Sequence, residues 1–243
     1  MFVSTNRKHQ RVMHTLIIAI TILHVLAGTV ALLVGLVSMF SKKGGKAHNR
    51  SGIVYVWCMI IVAATALLMC GLQPFKMLRL FLTGIAVFSF YLCITGWRAT
   101  KQKKTGPTSI DRLLTYVTLV TSVLMIGFGV YLMVLNGLSF YPIVFSFFGY
   151  LTLRFARQDY VQFDKPKEKM AWFFQHIARM GGSYIATFTA FLVNNMYRML
   201  PEGAPEWVGT MGWIAPTLVG GLLIARTIRH YKQKFNPSKP TLA

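Results

Sequence analysis

Long apolar runs alternate with short, polar and mostly basic segments along the 243 residues. A helix that crosses a bilayer needs about 20 mostly apolar residues. Seven stretches meet or approach that length: 12–40, 52–72, 77–97, 112–135, 139–155, 170–196 and 209–228. Their centres carry almost no charge. The fifth is the shortest and contains Pro142. Asn136-Gly137 is a tight connection that makes the fourth and fifth runs antiparallel neighbours. The pattern predicts an all-α fold: a polytopic membrane helical bundle of seven transmembrane helices, forming a single integral domain over residues 1–243. The first run is too long for the apolar core of a signal peptide, so it reads as a retained first span.

Composition strengthens this picture. Hydrophobic residues make up 54% and charged residues 13% of the chain, with a mean hydropathy of +0.51. A soluble domain carries about 25% charged residues, so an ordinary cytosolic enzyme is excluded. Cys58, Cys70 and Cys93 lie inside apolar runs without paired spacing, which argues against a disulfide framework or a thiolate zinc site.

The formal net charge is +20, from 26 Lys and Arg against 6 Asp and Glu. A charge of that size points first to nucleic acid. Here, however, the basic residues sit between apolar runs, so no nucleic acid partner is expected and the charges read as topology signals. Lys42, Lys43, Lys46 and Arg50 lie in the first loop, and Arg98, Lys101, Lys103, Lys104 and Arg112 follow the third run. Arg154, Arg157, Lys165, Lys167 and Lys169 follow the fifth, and Arg226, Arg229, Lys232, Lys234 and Lys239 end the chain. The opposite side receives only Arg7, Lys8, Arg11, Lys76, Arg79 and Arg198. This asymmetry predicts a cytoplasmic C-terminus, an outside N-terminus, and contact with anionic lipid headgroups at the cytoplasmic face. The basic N-terminal tail argues the other way.

Helix ends account for several of the few carboxylates. Thr108, Ser109 and Asp111 precede the fourth run as capping residues. Asp164, Pro166 and Glu168 take the same place before the sixth. No Asp or Glu falls at the centre of any run, which weakens proton-coupled chemistry.

The polar residues inside the runs are the candidate site. His176, Arg179, Ser183, Thr187 and Asn194 fall within an arc of about 80° on one helix. Such a stripe faces a bundle interior or a water-filled cavity. It is either a site built on His176 and Arg179, with Ser183 and Thr187, or a seam in which hydroxyls bond across helices and Gly181-Gly182 allow close approach. Arg179 needs a partner unless it snorkels to the interface. Run one has a matching seam of Thr21, His24, Gly28, Ala31 and Gly35. His24 lies near mid-membrane, and is either functional or satisfied by a hydroxyl or a helix carbonyl.

The first loop, Lys43-Gly44-Gly45-Lys46-Ala47-His48-Asn49-Arg50-Ser51-Gly52, has glycines for a turn and a cluster of positive charge. Lys43, Lys46 and Arg50 are candidate contacts for an anion or lipid headgroup. The plainer reading is a basic loop with a turn. From His24-Val-Leu-Ala-Gly28 through Gly35 to Lys43-Gly44, His48 and Gly52, the chain resembles a bacterial family of multi-pass membrane proteins of unknown function, with a KG…HRxxG loop after the first helix. It departs from that family at Asn49, where an Arg is usual. The resemblance covers about the first 70 residues and implies a bacterial inner-membrane location, with no established activity.

Three classes of function follow. The leading expectation is a non-enzymatic transport, lipid-binding or assembly role. The second is a b-type haem redox protein, because the histidines are distantly similar to those of small b-type membrane cytochromes. His24 and His176 differ in depth by about 16 Å at 1.5 Å per residue, so His48 and His176 are the better haem ligands. The third is a metal-dependent membrane hydrolase using His48, His176 and Asp164, although no HExxH or close His pair appears.

Overall fold

The structure is a computed structural model that describes residues 2–103, 105–164, 170–201 and 203–235. Among these residues it is all-helical: α1 (Phe2–Phe40), α2 (Lys46–Leu72), α3 (Met77–Lys101), α4 (Ser109–Asn136), α5 (Phe140–Gln162), α6 (Ala171–Met199) and α7 (Glu206–Phe235). Most helices run past the apolar stretches that announce them. Hydropathy marks the part that suits a hydrocarbon layer, whereas the backbone ladder continues into polar residues without penalty in water.

Five helices (α1 from Gln10, α2, α3, α4 and α7 from Trp207) are long and apolar enough to cross a membrane. The helices outside that set, α5 and α6, carry Asp159, Gln175 and Arg179 of the site described below. Pro142 does not interrupt α5. It sits in the first turn, where its missing N–H has no helical acceptor to lose.

The chain forms two compact units, with the boundary between Phe90 and Tyr91, inside α3. In the first unit, α1 and α2 pack as an antiparallel pair. Thr21 meets Met69, His24 meets Thr65 and Ser38 meets Ser51, at 3.4, 2.8 and 2.6 Å. Gly28 lies opposite Val62 in the same seam. Gly44 turns the chain between the two helices at φ 77°, a value that suits glycine.

The second unit holds α3 from Tyr91 onward and α4 to α7. Gly137 ends α4 at φ 67°, and its N–H caps the carbonyl of Met133. α4 and α5 then close on each other through Gly129 against Ser146 and Gly149 against Ile126, where a Cβ would crowd the opposing backbone. Gly181 admits Ile224 between α6 and α7. Phe148 of α5 packs edge-on against the buried Trp213 of α7, ring centres 6.1 Å apart. Outward faces are apolar: Leu124, Val134, Leu222 and Leu223 all stand exposed. Apolar outward faces on helices of this length suit a non-aqueous surrounding.

Candidate functional site

The cap expected before the fourth run is present. The Asp111 carboxylate accepts hydrogen bonds from the Thr108 backbone N–H at 2.7 Å and the Thr108 hydroxyl at 2.8 Å. It also accepts from Arg98 Nε at 2.5 Å, Arg98 Nη2 at 3.0 Å and Gln102 Nε2 at 2.6 Å. This clasp ties the end of α3 to the start of α4. The cap expected before the sixth run is different. Met170, at φ 68°, precedes α6, and Asp164 instead pairs with Arg112 at 2.9 Å. Pro166 and Glu168 lie outside the described residues.

The partner that Arg179 requires is Asp159. Because α5 runs to Gln162 rather than stopping at 155, Asp159 falls in its last turn and is folded inward, 8% exposed. Arg179 Nη2 reaches Asp159 Oδ1 at 2.7 Å and the Phe155 carbonyl at 3.0 Å. The Tyr91 hydroxyl donates to Asp159 Oδ2 and lies 3.3 Å from Thr115 Oγ1. Gln175 Nε2 adds a longer bond to Asp159 at 3.2 Å. The guanidinium is held over the rings of Phe155 and Tyr91, at 4.6 and 5.4 Å. Arg179 is 1% exposed, yet its Nη1 has no hydrogen-bond partner among the described residues.

Glycine makes this arrangement possible. A Cβ on Gly96 would lie 2.8 Å from Arg179 Cβ and 3.0 Å from the Met180 backbone nitrogen. α3 and α6 therefore touch at backbone distance where the ion pair begins. His176 Nδ1 sits 2.9 Å from the Gly96 carbonyl at the same crossing. A carbonyl only accepts, so Nδ1 carries the proton and Nε2 is the basic nitrogen of the neutral ring.

Between Asp111 and Asp159 lies a pocket of about 50 Å³. Thr95, Gln102, Thr115, Gln162 and Gln175 line it together with both carboxylates, and Pro107 and Phe163 complete the wall. One water needs about 10–15 Å³ by this measure, so the space suits a few waters or one small solute. The threonine and glutamine side chains of the lining can donate as well as accept, while the Arg98 and Arg179 guanidiniums sit behind the carboxylates. The ends of α3 and α5 and the starts of α4 and α6 meet here, at the end of the unit flanked by Lys101, Lys103, Arg112, Arg154 and Arg157.

The predicted stripe on α6 is partly inward. Arg179 and Ser183 are buried, His176 and Thr187 are half-buried, and Asn194 is exposed. Ser183 bonds the Cys93 thiol on α3, and Thr187 bonds back to the Ser183 carbonyl at 3.1 Å. His24 and His48 belong to the first unit. His24 Nδ1 meets the Thr65 hydroxyl at 2.8 Å. His48 Nδ1 meets the Ser38 carbonyl at 2.9 Å and pins the first loop to the end of α1. Lys43 caps the same helix end, with Nζ 2.6 Å from the Met39 carbonyl and 3.2 Å from that of Ser38. Desolvation there holds its ammonium below the ordinary lysine pKa. Lys46 and Arg50 are exposed on the first turns of α2.

Among the described residues, no three His, Cys, Asp or Glu side chains group as metal ligands. No protein-family model matches the chain, and neither a curated protein nor a solved structure shows a significant match to it.

Proposed function

We propose that the chain is a multi-pass protein of the bacterial inner membrane that carries a small polar solute, with the polar centre of the second unit as its working site. The carrying observation is the Arg179–Asp159 ion pair, buried beside a polar pocket of about 50 Å³. A buried ion pair beside a pocket lined by hydrogen-bonding side chains is a candidate site for a polar ligand. In this reading all seven helices span. α5 and α6 complete the set because their polar side chains turn toward the pocket. The N-terminus is outside and the C-terminus cytoplasmic, following the excess of basic residues in the odd loops. Lys46 and Arg50 meet anionic headgroups at that face. A pocket of this size, lined by amide, hydroxyl and carboxylate groups, favours a polar solute of a few heavy atoms.

The test is stopped-flow light scattering of proteoliposomes shocked with urea, acetamide or glycerol. Recovery of volume faster than in protein-free liposomes, for at least one solute, is expected. Identical recovery for all three would remove the transport reading.

A further inference from the structure

We propose that the pocket between Asp111 and Asp159 binds a small neutral solute with a primary amide group, of the carboxamide or urea class, and holds it by its N–H donors. This ligand class deepens the transport reading and rests on it for its purpose. Its support is the set of hydrogen-bonding groups in the lining that are already committed.

The two lining hydroxyls have spent their protons. Thr95 Oγ1 donates to the Tyr91 carbonyl at 2.7 Å. Thr115 Oγ1 has the Asp111 carbonyl at 2.9 Å and the Tyr91 oxygen at 3.3 Å as acceptors. A hydroxyl carries one proton, so each has only lone pairs left to offer. Both residues are buried, which makes an unmet polar group costly. Tyr91 gives its own proton to Asp159. Gln175 Nε2 and Gln102 Nε2 donate to Asp159 and Asp111, at 3.2 and 2.6 Å. Those bonds fix each amide with its nitrogen on a carboxylate. The carboxylates themselves only accept: Asp159 receives Arg179, Tyr91 and Gln175, and Asp111 receives Arg98, Thr108 and Gln102. The wall therefore presents oxygen acceptors from α3, α4 and α6.

Charge and donor type narrow the ligand. Asp111 is matched by Arg98 and Asp159 by Arg179, so the pocket has no net charge with which to hold an ion. An amide NH2 brings two N–H donors and no free acceptor on the nitrogen. A hydroxyl brings one donor and lone pairs that would face other lone pairs. The carbonyl oxygen of the amide has the second N–H of Gln175 and the amide of Gln162, exposed at the rim, as donors.

The experiment is saturation-transfer-difference NMR of the full chain in deuterated detergent, titrated with acetamide and separately with acetone. The two solutes share size and outline and report through methyl protons, but acetone has no N–H donor. Signals from empty micelles are subtracted. The expected result is saturable binding of acetamide, with acetone bound at least about tenfold more weakly, because a site built on hydrogen bonds rejects the analogue that lacks them. Thr95→Val combined with Thr115→Val keeps both side-chain outlines and removes their oxygens. It should bring acetamide down to the level of acetone. Asp164→Asn should leave acetamide binding unchanged. Equal binding of the two solutes by the unmodified chain would overturn the proposal, and so would no saturable binding of acetamide. Undiminished acetamide binding in the folded double variant would do the same. If that variant fails to fold, the acetamide–acetone comparison in the unmodified chain decides alone. No vesicle or gradient is used. Preferential acetamide binding without solute flux therefore removes the transport reading alone, and flux without that preference removes this inference alone.

Discussion

Two ion pairs stand on either side of one pocket, and they differ in how well they are satisfied. Arg98 and Asp111 are 21% and 10% exposed at the side chain, and Asp111 is enclosed by five donors. Arg179 and Asp159 are 1% and 9% exposed, with a guanidinium nitrogen left unpaired. The first pair is a helix cap extended across a loop. Each group it brings out of water is repaid in hydrogen bonds. The second is not explained by stability. A buried ion pair rarely outperforms well-packed apolar residues of the same volume, and breaking one partner is costly. An under-satisfied pair beside a polar pocket is what a site that must change its bonding requires.

The largest effect that would break this comparison belongs to Arg179→Ala. It leaves Asp159 buried without its counter-charge, and a loss of about 3–5 kcal/mol is expected. Thermal unfolding in detergent checks it, and the protein should still insert into the membrane. A loss no greater than that of Asp111→Asn would mean that water already relieves the buried Asp159 carboxylate. Next is Gly96→Ala, which pushes a methyl group against Arg179 and the α6 backbone; about 1–3 kcal/mol is expected. It should slow flux as well, because it displaces the ion pair. Asp111→Asn removes a cap and should cost about 1–2 kcal/mol, and it should slow flux less than Arg179→Ala does, because its carboxylate lines the pocket but lies outside the Arg179–Asp159 pair. Equal loss of flux in Asp111→Asn would erase the distinction between the two pairs. The smallest effect is for Asp164→Asn. Its side chain is 85% exposed, so a change within about 0.5 kcal/mol is expected for this surface pair.

The fold was legible where physics acts locally. Apolar length located all seven helices, and Thr108 with Asp111 announced the start of α4 three residues ahead of its apolar run. Helix ends were less legible. Arg154 and Arg157 made the stretch after 155 look like a loop, so Asp159 was left outside α5 and its inward face went unseen. One signal was available: Arg179 needed a counter-charge, and Asp159 is the acidic residue that a longer α5 brings onto the bundle side. Asp164 was misread because an acid before a helix resembles a cap, and only the tertiary fold places Arg112 within its reach. The pocket was not legible at all. Thr95, Thr115 and Gln175 come from three helices and Gln102 from the connection after α3, and no spacing within one segment relates them.

The most direct test of the central claim is the double variant Asp159→Leu with Arg179→Met, reconstituted and assayed for solute flux beside the unmodified chain. Replacing both charges with apolar groups removes the burial penalty, so the variant should unfold at or above the temperature of the unmodified protein. The account predicts that this stable protein carries solute no faster than bare lipid. A stable double variant with undiminished flux would show that the ion pair only holds helices together, and the site would have to be sought elsewhere.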